Sequence, residues 1–205
     1  MKKLLLLIAG LAMVIASHAQ TTGGLKAGLN LTNFGGDGAE DSKSRPGFHI
    51  GGYMNIGLNE KLSFQPELLF STAGAKTEEK GPDFSFESTA KLSYLSIPLS
   101  LQYSFGSFNI HAGPQLSFLM SAKYEFTDSY TDTNGTTTTE SGEDDVKEYL
   151  KGVDLGLNFG AGYSFGKLGV TARYSLGMAN ISDEGESNLT NKTIQFSVMY
   201  KLFGQ

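Results

Sequence analysis

Apolar residues recur at every second position in eight stretches of the chain, roughly 24–34, 47–58, 61–74, 90–104, 107–122, 151–164, 167–180 and 192–203. A period of two is that of a β-strand whose two faces differ chemically. In the second stretch Phe48, Ile50, Met54, Ile56 and Leu58 stand on one side, with His49, Gly51, Tyr53, Asn55 and Gly57 on the other. In the sixth, Val153, Leu155, Leu157, Phe159, Ala161 and Tyr163 oppose Asp154, Gly156, Asn158, Gly160, Gly162 and Ser164.

The connections alternate in length. Those at Asn59-Glu60, Phe105-Gly106 and Phe165-Gly166 are of hairpin size. Those around 35–46, 75–89, 123–150 and 181–191 are long and polar. Short turns at one end, with both chain termini, and long loops at the other are the layout of an outer-membrane barrel with periplasmic turns and extracellular loops. The pattern predicts an all-β fold, an eight-stranded antiparallel up-and-down transmembrane β-barrel. Pro66, Pro98 and Pro114 fall inside strands three, four and five. A closed barrel has no edge on which to hide a missing N–H, so each predicts a bulge or an absent ladder bond.

Alternation does not by itself say which face is inside. A soluble, lipocalin-like barrel would turn its apolar face inward around a ligand. The other face decides. A water-facing strand surface carries Lys, Glu and Thr. Here that face is Gly28, Asn30, Gly51, Asn55, Gly57, Ser96, Ser100, Gly113, Ser117, Gly156, Asn158, Gly160 and Gly162. Such small residues suit the narrow lumen of eight strands and leave the apolar face to lipid. About 10 tilted residues climb roughly 24 Å, the height of the lipid band. Tyr103, Phe105, Phe108, Tyr163, Phe165, Tyr200 and Phe203 gather at the short-turn ends like an interfacial girdle.

Composition narrows the setting. Residues 1–19 carry Lys2 and Lys3, an apolar run from Leu4 to Ala16, and Ser-His-Ala before Gln20. This is a secretory signal-peptide pattern with cleavage expected after Ala19, and the run is too short for a membrane-spanning helix. The barrel domain is then 20–205. The chain has no cysteine, which excludes lipid attachment at a cysteine and disulfide stapling, and suits a Gram-negative cell envelope. The formal charge of −5 becomes −7 once Lys2 and Lys3 leave with the leader, so no nucleic-acid partner is expected.

The runs GLKAGLNLTNF, LSFQPELLFSTAGA, YLSIPLSLQY, NIHAGPQLSF, FGAGY and ARYSLGMANI resemble the small porin-family, PorT-like outer-membrane β-barrel proteins of Bacteroidota. The resemblance spans nearly all of 20–205 and implies an eight-stranded barrel of OmpA or OmpX shape in the bacterial outer membrane. It implies no particular activity. Eight strands enclose no channel of porin size. Ile194, Phe196, Val198, Tyr200 and Leu202 alternate up to Phe203, which looks like the terminal strand read by the barrel-assembly machinery, although Gly204-Gln205 follow it.

With the apolar face outside, the lumen receives Lys26, His49, Gln65, Glu67, Gln102, His111, Gln115, Asp154, Arg173, Gln195 and Lys201. A charge in that interior needs a partner, since an uncompensated one costs several kcal/mol. Glu67 and Arg173 lie equally far above the starts of strands three and seven, which are opposite in a ring of eight. They predict an ion-pair plug flanked by Lys26, Asp154 and Lys201. Bracing is the plain reading of that plug, and a gate for small ions the sharper one. His49, placed near the outer rim, and His111, near the periplasmic turn, have no nucleophile signature beside them, so no catalysis and no cofactor are expected.

Between 124 and 149 the longest loop has a net charge of −7, with Asp128, Asp132, Glu140, Glu143, Asp144 and Asp145 among its acids. DTNGTTTTE fails the calcium-loop pattern because Tyr130 stands where an acid is needed. The run reads as a solvated loop, with weak divalent-cation bridging to lipopolysaccharide as a secondary role and no dedicated metal site. The expected function is structural or surface-interactive, with outer-membrane lipid, lipopolysaccharide and a protein at the long loops as partners. The alternatives are a narrow gated pore, then a rim-active enzyme or a soluble ligand binder.

Overall fold

Each of the eight alternating stretches forms a strand, and one further strand lies in a segment that reads as a loop. The computed structural model describes residues 21–36, 39, 42–183 and 188–204. Residues 1–19, the expected leader, and Asp37-Gly38 lie outside the described residues. The strands are β1 (Thr21–Gly35), β2 (Lys43–Gly57), β3 (Leu62–Lys80), β4 (Phe84–Phe105), β5 (Phe108–Thr131), β6 (Thr137–Asp145), β7 (Val153–Phe165), β8 (Leu168–Gly177) and β9 (Thr190–Phe203). Every pairing between them is antiparallel.

Strands β1 to β5 pair in sequence, β5 pairs with β7, and β7, β8 and β9 lead back to β1. This closes a ring of eight strands, which leaves no edge within it. The tight turns sit one residue later than the apolar pattern suggests, at Gly106-Ser107 and Gly166-Lys167. Gly106 and Gly166 both have φ +65°, and glycine at the first central position is what a II′ hairpin turn requires. At the third turn the Asn59 side chain accepts the N–H groups of Lys61 and Leu62 at 3.0 and 2.8 Å.

The polarity is inside-out. Leu25, Leu29, Phe48, Ile50, Leu101, Leu155, Phe159, Phe196 and Val198 are exposed on the outer wall. Polar residues dominate the buried set among the described residues, with Lys26, Asn30, Glu67, Asn158 and Arg173 almost wholly enclosed. Water would penalise such a wall, whereas lipid favours it.

The prolines interrupt the ladder without shifting it. Pairing between β3 and β4 stops after Pro66↔Leu99 and resumes at Leu69↔Ser96 in the same register. Between β4 and β5 it stops at Pro98↔Gln115 and resumes at Leu101↔Ala112, again unshifted. The wall therefore loses ladder bonds near Pro66, Pro98 and Pro114 and gains no bulge there. The β4–β5 register shifts elsewhere, between Ser93 and Tyr94.

Two segments that read as long polar loops are structured. β3 and β4 run through 75–89 to a turn in which Gly81 N–H bonds Phe84 O at 2.9 Å. β5 continues to Thr131 and turns through Asn134-Gly135, where Gly135 has φ +80°, into β6. β5 thus changes partner, from β7 up to Phe118 to β6 from Lys123 onward. The β-branched run Thr136–Thr139 and the Asn-Gly turn favour this hairpin, and the density of charge around them masks both signals.

A small apolar core closes the loop end. Leu92, Tyr94, Leu119 and Ala122 from β4 and β5 pack with Ala73 of β3 and with Ile181, fully buried in the β8–β9 loop. Val146 and Leu150 from the link after β6, with Phe34 and Leu189, cover them. Lys151 N–H bonds Ile181 O at 2.8 Å, and Ile181 N–H bonds Leu189 O at 2.8 Å.

Candidate functional site in the barrel lumen

The strand period sends Lys26 of β1, Glu67 of β3 and Arg173 of β8 inward, and ring closure brings them together. Arg173 Nη1 donates to Glu67 Oε2 at 3.0 Å and Nη2 to Oε1 at 2.5 Å. Lys26 Nζ lies 3.1 and 3.0 Å from the same two oxygens. Gln65 Nε2 donates to Oε1 at 2.9 Å. The side chains of all three ions have no solvent exposure. One carboxylate therefore serves two cations, in a two-pronged, charge-assisted geometry that favours arginine.

Two histidines extend this layer. His111 Nε2 accepts the Nε–H of Arg173 at 3.4 Å. His49 does not lie at the outer rim: its row is that of Gly28, two residues along β1 from Lys26, because β2 starts at Lys43, several residues above it. Its Nδ1 is 2.7 Å from Asn30 Oδ1 and its Nε2 is 2.9 Å from Ser197 Oγ. Ser197, His49 and Asn30 stand in the hydrogen-bond order of a nucleophile, base and orienter, but His49 is 1% exposed and Ser197 5%. Both side chains are packed within the lumen interior. The rings lie against inward glycines: a Cβ on Gly28 would meet Phe196 O at 2.0 Å and His49 Cε1 at 2.8 Å, and one on Gly160 would meet Ala172 O at 2.3 Å and His111 Nε2 at 2.8 Å.

Asp154 and Lys201 do not join this layer, contrary to their expected flanking role. Strand height separates them: Asp154 is the second residue of β7, at the loop end, and Lys201 lies near the turn-end terminus of β9. Asp154 Oδ2 accepts Asn191 Nδ2 at 2.8 Å, and Asn191 also reaches Tyr94 Oη at 3.2 Å. Lys201 lines a polar cavity of about 210 Å³ at the turn end, with Tyr53, Gln102, Asn109 and Thr171. Asn191 and Tyr94 carry contacts that lumen parity alone does not single out.

The acidic segment 123–150 is the β5–β6 hairpin and its link to β7. Glu143 pairs with Lys123 at 2.5 Å, and Glu125 pairs with Lys91. Asp132 Oδ1 accepts the N–H groups of Asn134 and Thr136 at 2.8 and 2.9 Å and so shapes the hairpin tip. Asp128 and Glu140 face each other across the hairpin, as do Tyr124 and Asp144, and Lys123 and Asp145. No group of three or more His, Asp or Glu side chains converges for a metal among the described residues.

On the outer wall the polarity changes with height. Along β4 the outward positions run Tyr103, Leu101, Leu99, Ile97, Leu95 and then Ser93, Lys91, Thr89 and Glu87. Above Ser93 the neighbouring strands carry ion pairs on this side, Lys43 with Glu78 at 2.8 Å, Lys80 with Glu87 at 3.5 Å, and Lys91 with Glu125. The apolar band ends near Ser93, and the four strands β3 to β6 project beyond it as a polar sheet.

Solved structures similar to this chain include Ail, the attachment invasion locus protein of Yersinia pestis, at 11% identity over 89% of this chain and 99% of that one, TM-score 0.44. Neisserial surface protein A is similar at 13% identity over 88% and 97%, TM-score 0.44. CarO2 of Acinetobacter baumannii is similar at 11% over 90% and 100%, TM-score 0.44. No curated protein matches the chain. Residues 18–183 match the family described as outer membrane protein beta-barrel domain. With its closed ring of eight strands and lipid-suited wall, the chain belongs to this family and is an integral protein of the bacterial outer membrane.

Proposed function

We propose that this barrel is a closed membrane anchor without catalysis of its own, and that its task is carried by the sheet projecting above the apolar band. The observation that carries this reading is the free edge of β6, which pairs with β5 alone among the described residues. An unpaired strand edge outside the membrane is a template for an extended segment of another protein. Glu140, Glu143, Asp144 and Asp145 on β6 discourage pairing with a second copy and select a basic partner. The lumen supports the anchor role, since the Lys26–Glu67–Arg173 layer lies below the apolar core around Ile181 and both stand across the path of an ion.

Photo-crosslinking from Thr139 in intact cells tests the edge. A protein adduct is expected there, and it is lost when the hairpin is shortened by joining Phe126 to Gly142 through an Asn-Gly turn. Adducts confined to other loops would refute the edge as the docking surface. Planar-bilayer recordings test closure: silence is expected from wild type, whereas discrete openings that change on Glu67→Ala would make the lumen a gated pore. Asp128 opposite Glu140 is the place for divalent-cation bridging to lipopolysaccharide phosphates, because like charges directly across a ladder repel unless something bridges them.

A further inference from the structure

Above the Lys26–Glu67–Arg173 layer lies a second lumen feature that neither bracing nor docking uses. It is a chamber of about 30 Å³ bounded by Tyr94, Ser96, Ser117, Asp154, Asn191 and Gln195, among others. Its walls hold three buried acceptor oxygens without a hydrogen-bond partner: Asp154 Oδ1, Asn191 Oδ1 and Gln195 Oε1. Their residues are 8%, 8% and 4% exposed. The other atoms of the same groups are engaged. Asn191 Nδ2 donates to Asp154 Oδ2, and Gln195 Nε2 donates to Asn30 Oδ1 at 3.1 Å, which leaves only the amide oxygens unpartnered.

Three orphaned acceptors around one small chamber call for a species that offers them protons or positive charge, since buried polar groups go unpartnered at a cost of a few kcal/mol each. Asp154 forms no ion pair within the described residues. A buried carboxylate without a cation is expensive, and it is relieved either by a proton or by a captured cation. The geometry points to a binding site for one small monovalent cation of the sodium class in this chamber, held by Asp154 Oδ1, Asn191 Oδ1 and Gln195 Oε1. One carboxylate matches one positive charge, and a divalent ion would leave a charge uncompensated. The donors are all hard oxygens, with hydroxyls of Ser96 and Ser117 beside them, which excludes a soft metal. The space admits an ion or a water and little more.

The folded protein in detergent tests this, with thermal unfolding followed in NaCl, KCl, calcium chloride and choline chloride at one ionic strength. Sodium is expected to raise the midpoint over choline by a few degrees, because a ligand that binds only the folded state stabilises it. The rise is expected to vanish in Asp154→Asn, while Glu79→Gln, exposed on β3 of the outer sheet, retains it. Broadening of the sodium NMR line by wild type and not by Asp154→Asn is the second readout, and it needs no unfolding. Equal midpoints in all four salts, together with an unbroadened line, would mean that ordered water or a proton on Asp154 satisfies the chamber and would overturn the site. Stabilisation by calcium alone would overturn its monovalent class. If Asp154→Asn does not fold, Gln195→Leu takes its place with the same expectation.

Discussion

Glu67 on β3 and Arg173 on β8 meet through two hydrogen bonds of 3.0 and 2.5 Å across the full width of the barrel, from strands that are opposite in the ring. Lys26 shares the same carboxylate, so the layer has two cations and one anion. That imbalance orders the consequences of mutation. Glu67→Gln leaves two buried cations uncompensated and is expected to cost about 3–5 kcal/mol. Arg173→Gln leaves a neutral Lys26–Glu67 pair and is expected to cost clearly less. Urea unfolding in lipid vesicles measures both, and the reverse order would show that shape, not charge, dominates the layer.

The apolar band predicts a depth profile. Leu99 lies midway along the outward apolar positions of β4, and Thr89 lies above Ser93 beside Glu125 of β5. Leu99→Arg is expected to destabilise by about 2–4 kcal/mol, as charge at the bilayer midplane does. Thr89→Arg is expected to be near neutral, since water and Glu125 both receive it. Equal penalties in vesicle unfolding would move the upper boundary of the lipid band above Thr89.

Lipid made much of this legible in the sequence. A wall solvated by hydrocarbon forces an apolar side chain at every second residue, so parity alone separates Leu99 and Leu101 from Ser100 and Gln102. Counting up from the turns then places Glu67 and Arg173 at one height. The same method misplaces Asp154, Lys201 and His49, because strands differ in where they begin and in how far they slip against each other. Nothing in strand parity reveals that Ile181, inside a polar loop, folds back onto Leu92 and Leu119. β6 was hidden for a different reason: above the membrane both faces of a sheet meet water, so the contrast that marks a strand disappears. There only Thr136–Thr139 and Asn134-Gly135 carried the signal.

At the tip of the β5–β6 hairpin, the N–H of Thr136 and then that of Asn134 hold the Asp132 carboxyl below the ordinary aspartate range. A carboxyl whose folded value is depressed contributes order that is present above its unfolded value and is lost as pH falls through the folded one. The amides of Asn134 and Thr136 are therefore expected to stay protected at neutral pH and to lose protection at acid pH. Asp132→Asn removes this pH dependence. NMR detection of amide exchange reads it directly, and a protection that ignores pH in wild type would show that Gly135 and the ladder shape the turn without Asp132.

The apolar core around Ile181 is expected to behave as a unit separate from the barrel wall. Its members come from the loop end of the barrel, and its covering residues Val146, Leu150 and Leu189 lie in connections that bury little else. The wall is held by a closed ladder that does not depend on them. Ile181→Asp places a carboxylate against Leu92, Tyr94 and Leu119 with no partner at hand, which such a core does not tolerate. The connections 146–152 and 178–183 are then expected to open, while the strands stay paired. In hydrogen exchange the amide of Lys151, which bonds Ile181 O, loses its protection, and the amide of Val198 in β9 keeps it, the pattern of a local unfolding unit. Parallel loss at both amides would tie the core to the stability of the whole barrel. Ile181→Ala is the milder form, with about 2–4 kcal/mol removed from the local opening energy and the same order of loss.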